Sequence, residues 1–243
     1  MSAGAKYMSK FQNRLLSLIM SGLFAVSLLA WSGKAAEYAQ SAETVVKKPK
    51  LRVVIDAGHG GDDPGKIGVN NVPEKEINLQ ITEILAKFLR ANDLEVILTR
   101  ESQEGLYDAG APNKKVQDMK RRVEKIEAAS PILAVSIHQN SYPQEKVRGP
   151  QVFYYRNSDE GQRLARTIQS RLWELDSEHI RQIKDNDSYY LLKKTSAPIV
   201  IVECGFLSNW EEAEKLCDPL YQERAAWKIH LGILQYISSL SGS

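Results

Sequence analysis

The chain has 243 residues, 43% of them apolar and 26% charged, which excludes both a disordered chain and one built of several membrane spans. Its net charge of +2 hides an asymmetry: residues 1–50 carry seven basic and two acidic residues, which leaves the remainder at −3. A mildly acidic domain has no electrostatic footprint for nucleic acid, so no nucleic-acid partner is expected.

Lys6, Lys10 and Arg14 precede an apolar run from Leu15 to Trp31, with no further charge before Lys34. Basic residues followed by an apolar stretch are the pattern of an export signal. The uncharged length also approaches the roughly 20 residues that span a bilayer, so an uncleaved membrane anchor is the second reading. Ala30-Trp31-Ser32 and Ala39-Gln40-Ser41 offer small residues for cleavage. Residues 1–35 therefore read as signal or anchor, 36–50 as a polar linker, and 51–240 as one folded domain. On either reading the domain lies outside the cytoplasm, secreted or held at the cell envelope.

From Leu51 onward, short runs rich in β-branched residues alternate with segments of helical period. The runs 51–56, 94–99, 132–138, 151–155 and 199–203 are apolar on both faces, as strands covered by helices on both sides must be. Between them, 76–91 puts Ile77, Ile81, Ile84, Leu85 and Phe88 on one face. Residues 116–129 form a basic amphipathic segment. Residues 158–175 align Leu164, Ile168, Leu172 and Leu175, and 219–239 align Tyr221, Ala225, Ile229, Ile233 and Tyr236. This alternation predicts a single α/β domain with a mostly parallel sheet. In such sheets the chemistry gathers beyond the carboxyl ends of the strands.

Three of the predicted strand ends carry metal-capable side chains: Asp56-Ala57-Gly58-His59-Gly60-Gly61, Ser136-Ile137-His138-Gln139-Asn140 and Glu203-Cys204-Gly205-Phe206. A catalytic zinc takes three protein ligands and keeps a fourth position open. His59 and His138 supply imidazoles. Glu74, at the start of the first predicted helix, supplies a carboxylate close to the first strand's end, with Glu76 as the alternative acid. Glu203 then remains as the unliganded carboxylate that moves protons. Taken singly, each residue has an ordinary structural reading; it is their joint placement at one rim that points to a site. Asp56 reads as either a support for a ligand histidine or a strand-end turn residue, and Asn140 as a substrate contact or a turn cap. Arg148 and Arg156 are candidates for meeting substrate carboxylates. His179 and His230 read as structural or solvent-facing. Cys204 and Cys217 allow one disulfide at most and read as small core residues. The sequence has no GxSxG elbow and no phosphate-binding loop.

The four blocks Asp56–Gly61, Glu74-Lys75-Glu76-Ile77-Asn78-Leu79, Ser136–Asn140 and Glu203–Asn209 resemble those of zinc-dependent N-acetylmuramoyl-L-alanine amidases, the amidase-3 family. Leu98-Thr99-Arg100 and the helix containing Arg122 match the family's run between blocks. The resemblance covers residues 51–237. It implies a twisted, mostly parallel six-stranded sheet flanked by helices. It also implies one zinc ion per chain on His59, Glu74 and His138, catalytic Glu203, and hydrolysis of the amide joining the lactyl group of N-acetylmuramic acid to L-alanine in peptidoglycan. The motif alignment favours Glu74 over Glu76. Ser188-Tyr189-Tyr190-Leu191-Leu192 further resembles the CwlD-type germination-specific amidases, which implies a role in spore-cortex maturation and muramic lactam formation. The sequence leaves room for an activating protein partner, unidentified, without specifying one. A zinc peptidase acting on stem peptides and a non-catalytic wall-binding module are the alternatives.

Overall fold

The computed structural model describes residues 16–34 and 50–240. Helix α1 (Leu16–Lys34) is long and apolar enough to cross a membrane. The basic residues expected before it, and all but the last residue of the expected linker, lie outside the described residues.

The second compact unit begins at Lys50. Its elements run β1 (Arg52–Ala57), α2 (Glu74–Ala91), β2 (Glu95–Leu98), α3 (Lys114–Ala129), β3 (Leu133–Asn140), β4 (Gln151–Tyr155), α4 (Asp159–Leu172), β5 (Lys184–Asn186), α5 (Tyr190–Lys194), β6 (Ile199–Phe206), α6 (Trp210–Cys217) and α7 (Pro219–Leu240). The six strands form one sheet in the order β2-β1-β3-β6-β4-β5. Every pairing is parallel except β4 against β6. The expected α/β class and mostly parallel six-stranded sheet are both present.

Both sheet faces are covered, and the side-chain alternation of the strands divides the core accordingly. Val53, Ile55, Val135, Ile137, Val200 and Val202 pack with Ile77, Ile81, Leu85 and Leu89 of α2, Leu164 and Ile168 of α4, and Ile229 and Ile233 of α7. On the other face Val54, Ala134, Ile199 and Ile201 meet Ile126 of α3 and Leu191 and Leu192 of α5. Helix starts are set locally. The side chains of Asn113, Ser158 and Asn209 accept hydrogen bonds from Val116 N, Gly161 N and Glu212 N, which satisfies amides that α3, α4 and α6 leave free. Because β1, β3 and β6 are parallel, their carboxyl ends share one edge, and the three histidine- or glutamate-bearing turns emerge together there.

Candidate active site

Gly58 N continues the ladder beyond β1 by donating to Ile137 O at 3.0 Å. A Cβ at Gly58 would fall inside the His138 imidazole, so the missing side chain is what lets the ring lie against this backbone. The next residue, His59, turns the chain with φ +62, a left-handed conformation that a side chain makes costly.

Two buried arginines hold this turn by its carbonyls. Arg100 Nε donates to Ala57 O at 2.9 Å and its Nη2 to Gly58 O at 3.0 Å. Arg122 Nη1 donates to Ala57 O at 2.6 Å, and its Nη2 donates to His59 O. Asp56 belongs to this framework. Its carboxylate accepts from Thr99 Oγ1 at 2.6 Å, Arg122 Nη1 at 2.7 Å and Ser136 Oγ at 2.5 Å. Burial opposes its ionisation, but Arg122 and the two hydroxyls outweigh this and hold its pKa down at about 2. None of these partners is a histidine. The carboxylate that does orient a histidine is Asp63, whose Oδ2 lies 3.0 Å from His59 Nδ1. Sequence reasoning missed Asp63; its only signal was its place four residues after His59.

Glu74 reaches the same edge from the first turn of α2 and is 2% exposed. Its Oε2 lies 3.2 Å from His59 Nε2 and accepts from Lys66 N at 2.9 Å. Its Oε1 lies 3.0 Å from His138 Nδ1 and accepts from Gln139 N at 3.0 Å and Asn78 Nδ2 at 3.2 Å. Burial would raise its pKa, yet the hydrogen bonds and charges of His138 and His59 hold it far below the usual carboxylate range. One donor atom from each of His59, Glu74 and His138 lies within 4.8 Å of the others. Two imidazole nitrogens facing one ionised carboxylate form a donor set of the kind zinc takes. Glu76 is not in the cluster.

Glu203 stands on the neighbouring strand as the register partner of His138. It is buried, and among the described residues its Oε2 has no hydrogen-bond partner. Burial raises its pKa to about 7, with Glu74 adding to the rise and the two histidines opposing it. A cleft of about 810 Å³ opens over these residues, with Tyr189, Tyr190 and Leu191 on its lining together with Lys66, Lys114 and Lys115.

The other sequence candidates fall outside this centre or at its margin. Asn140 lines the cleft and also caps the turn, its Oδ1 accepting from Ser141 N at 2.8 Å. Arg148 and Arg156 do not line the cleft and are consumed in ion pairs, Arg148 with Glu211 at 2.8 Å and Arg156 with Asp185 at 2.5 Å. His179 bonds to Asp176, and His230 is buried on α7 beside Phe88 and Trp227. Cys204 and Cys217 are free thiols. Cys204 is fully buried, and burial pushes its thiol pKa well above the ordinary value, which makes it no nucleophile.

Comparison with known proteins gives the chemistry its context. A family model described as N-acetylmuramoyl-L-alanine amidase matches residues 53–235. The chain is 34% identical over 189 residues to the germination-specific N-acetylmuramoyl-L-alanine amidase of Bacillus subtilis, covering 76% of this chain and 79% of that one. Among solved structures it is similar to the CwlD amidase of Clostridioides difficile in complex with the GerS lipoprotein. That match has 38% identity and a TM-score of 0.76, covering 78% of this chain and 100% of that one. The catalytic domain of CwlV from Bacillus (Paenibacillus) polymyxa matches at 30% identity and a TM-score of 0.69, over 77% of this chain and 98% of that domain. The chain belongs to the amidase-3 family, and its activity is that of a peptidoglycan N-acetylmuramoyl-L-alanine amidase.

Proposed function

We propose that this amidase is zinc-dependent, that His59, Glu74 and His138 hold one zinc ion per chain, and that Glu203 is the catalytic proton carrier. The observation that carries the reading is the convergence of the three donor atoms beside a buried carboxylate oxygen that has no hydrogen-bond partner among the described residues. When bound, zinc supplies Lewis acidity, which polarises a carbonyl and makes water nucleophilic near neutral pH. Glu203 Oε2 takes the proton that water gives up and delivers it to the L-alanine nitrogen as the amide C–N bond breaks. The products are a lactyl carboxylate on the glycan and a free amine on the peptide. Burial raises the affinity of this carboxyl group for a proton, the direction that suits a group that must take up a proton and hand it on. Asp63 fixes His59 Nδ1, which turns Nε2 toward Glu74.

The role we propose is spore-cortex maturation, in which removal of the stem peptide leaves muramic acid free to form its lactam. Similarity to the germination-specific amidase and to CwlD supports this. We assign α1 and the residues around it to export or anchoring, 36–50 to a linker and 51–240 to catalysis. A protein partner at the envelope fits the complex in which the CwlD relative was solved.

The deciding experiment measures zinc content and muropeptide products of residues 36–243 beside Glu203→Ala and His59→Ala. One zinc per chain and release of peptides with free L-alanine amino groups are expected. Glu203→Ala keeps zinc and loses about 10²–10⁴-fold in turnover, whereas His59→Ala loses both. Full activity in Glu203→Ala sinks the proton-carrier role, and shortened stem peptides would make the enzyme a peptidase. Expression in a Bacillus subtilis strain lacking its germination amidase tests the cortex role; unchanged lactam content overturns it.

A further inference from the structure

Asn78 lies on α2 one turn beyond Glu74, fully buried among the inward-facing Ile77, Ile81 and Leu85. Asparagine is a poor helix former, and a buried carboxamide is retained only where its hydrogen bonds are made. Its Nδ2 donates to Gly58 O at 3.1 Å and to Glu74 Oε1 at 3.2 Å, and its Oδ1 accepts from Gln139 Nε2 at 3.1 Å. Each partner marks one arm of the metal centre. Gly58 directly precedes His59, Glu74 is itself a donor, and Gln139 directly follows His138. One side chain thus ties the β1 turn, the first turn of α2 and the end of β3.

Stability does not account for this arrangement. Gln139 Oε1, at the far end of the network, is buried and has no hydrogen-bond partner among the described residues. A buried network left incomplete costs free energy relative to an apolar side chain of similar size, so its benefit must be sought elsewhere. Geometry supplies one. Glu74 Oε1 must face His138, and among the described residues Asn78 is the side chain other than that histidine that holds this oxygen.

We propose that Asn78 is a positioning residue for the metal centre: it sets the orientation of Glu74 and the spacing of the two histidine-bearing segments before the cation arrives. The inference rests on the zinc assignment above. Asn78 touches neither substrate nor the reacting atoms, so its effect falls on metal affinity first and on turnover only through it.

The test measures zinc affinity of the full chain by competition with a chromophoric chelator, alongside melting temperatures of the metal-free and zinc-loaded forms. Asn78→Ala removes both donors. Asn78→Asp keeps the shape but sets an oxygen against Glu74 Oε1 and Gly58 O. Both are expected to weaken zinc by about 10–100-fold, with the aspartate variant weaker, and to shrink the rise in melting temperature on adding zinc. Ile81→Ala, on the same buried face, lowers the melting temperature of the metal-free form and leaves zinc affinity unchanged. Asn78→Ser, whose shorter side chain and single hydroxyl hydrogen cannot serve both Glu74 Oε1 and Gly58 O, stands in should either variant fail to melt cooperatively, and the same weakening is expected of it. Folded Asn78 variants that bind zinc within twofold of wild type overturn the inference while leaving the zinc assignment intact. A wild-type chain that takes up no zinc removes that assignment and the inference with it.

Discussion

His138 and Glu203 are register partners on the adjacent parallel strands β3 and β6. Register partners in a parallel pair leave the sheet on the same face, so the histidine and the carboxylate stand side by side at the cleft. Gln139 and Cys204, one residue further on each strand, turn to the other face. A slip of one residue between β3 and β6 would remove Glu203 from the cleft altogether.

That fixed relationship makes the reach of the side chain testable. Glu203→Asp keeps the charge and the strand but withdraws the carboxylate by one methylene. Displacement of a reacting group by about 1 Å can cost on the order of 10²-fold in rate. The variant is expected to bind zinc as wild type does and to lose about 10²-fold in kcat, with KM little changed. Steady-state kinetics on purified peptidoglycan fragments, with zinc content measured in parallel, check this. A loss of less than fivefold would mean that the carboxylate acts through intervening solvent.

Gly58→Ala tests the close approach of the backbone to the His138 imidazole. The added methyl would occupy the position of the His138 ring, which must move. Overpacking of this kind costs about 1–3 kcal/mol, and the displaced imidazole leaves the donor cluster. We expect at least tenfold weaker zinc binding in a chain that still folds, read by calorimetric titration. Gly110→Ala is the control: its Cβ meets nothing within 4 Å, and both stability and zinc affinity should hold.

The residues of the cluster were legible in sequence because His59 and His138 sit where apolar runs stop and Glu74 opens the first predicted helix. Parallel topology then carries such ends to one edge. The supports were not legible, since they come from loop and helix interiors whose partners are distant in the chain. Asn78 stands inside the recognised Glu74–Leu79 block, yet nothing local says that it bonds to Gly58 and Gln139. Arg100 and Arg122 look like ordinary surface cations until folding buries them on carbonyls of the β1 turn. Strand β5 escaped for another reason. Its Lys184-Asp185-Asn186 is three polar residues at the sheet edge, with no alternation to read. Arg148 and Arg156 misled because the acids that pair with them, Glu211 and Asp185, lie about 60 and 30 residues onward.

The buried Asp56–Arg122 pair predicts the acid limb of stability. Asp56 is held at about 2 in the folded chain against an ordinary 3.8. A depressed carboxyl contributes stability that is complete above the unfolded value and lost as pH falls through the folded one. The loss therefore falls between about pH 4 and pH 2, and amounts to roughly 2–3 kcal/mol. Asp56→Asn removes this contribution at every pH and leaves the Arg122 charge with Asp118 alone, which is expected to cost about 3 kcal/mol at pH 7. Urea titrations of both chains from pH 7 to pH 2 make the comparison. The wild-type advantage should narrow below pH 4, and an advantage constant down to pH 2 would contradict the pairing.

Asp63 offers a separate handle on His59, because it acts from outside the buried network. Its carboxylate is about one-third exposed and shares Lys115 at 3.5 Å, so solvent and a second cation dilute its hold on Nδ1. A carboxylate behind a ligand histidine typically contributes 10–100-fold in metal affinity, and partial exposure places Asp63 at the lower end, about tenfold. Asp63→Asn can still accept a hydrogen bond from Nδ1 but lacks the charge, so about threefold is expected of it and the full tenfold of Asp63→Ala. Chelator competition at two ionic strengths separates the contributions. The asparagine deficit should shrink as salt screens the charge, whereas the alanine deficit persists, because a lost orientation is not restored by ions. Equal zinc affinity in all three chains would show that His59 is held without Asp63, by its left-handed backbone and its other contacts.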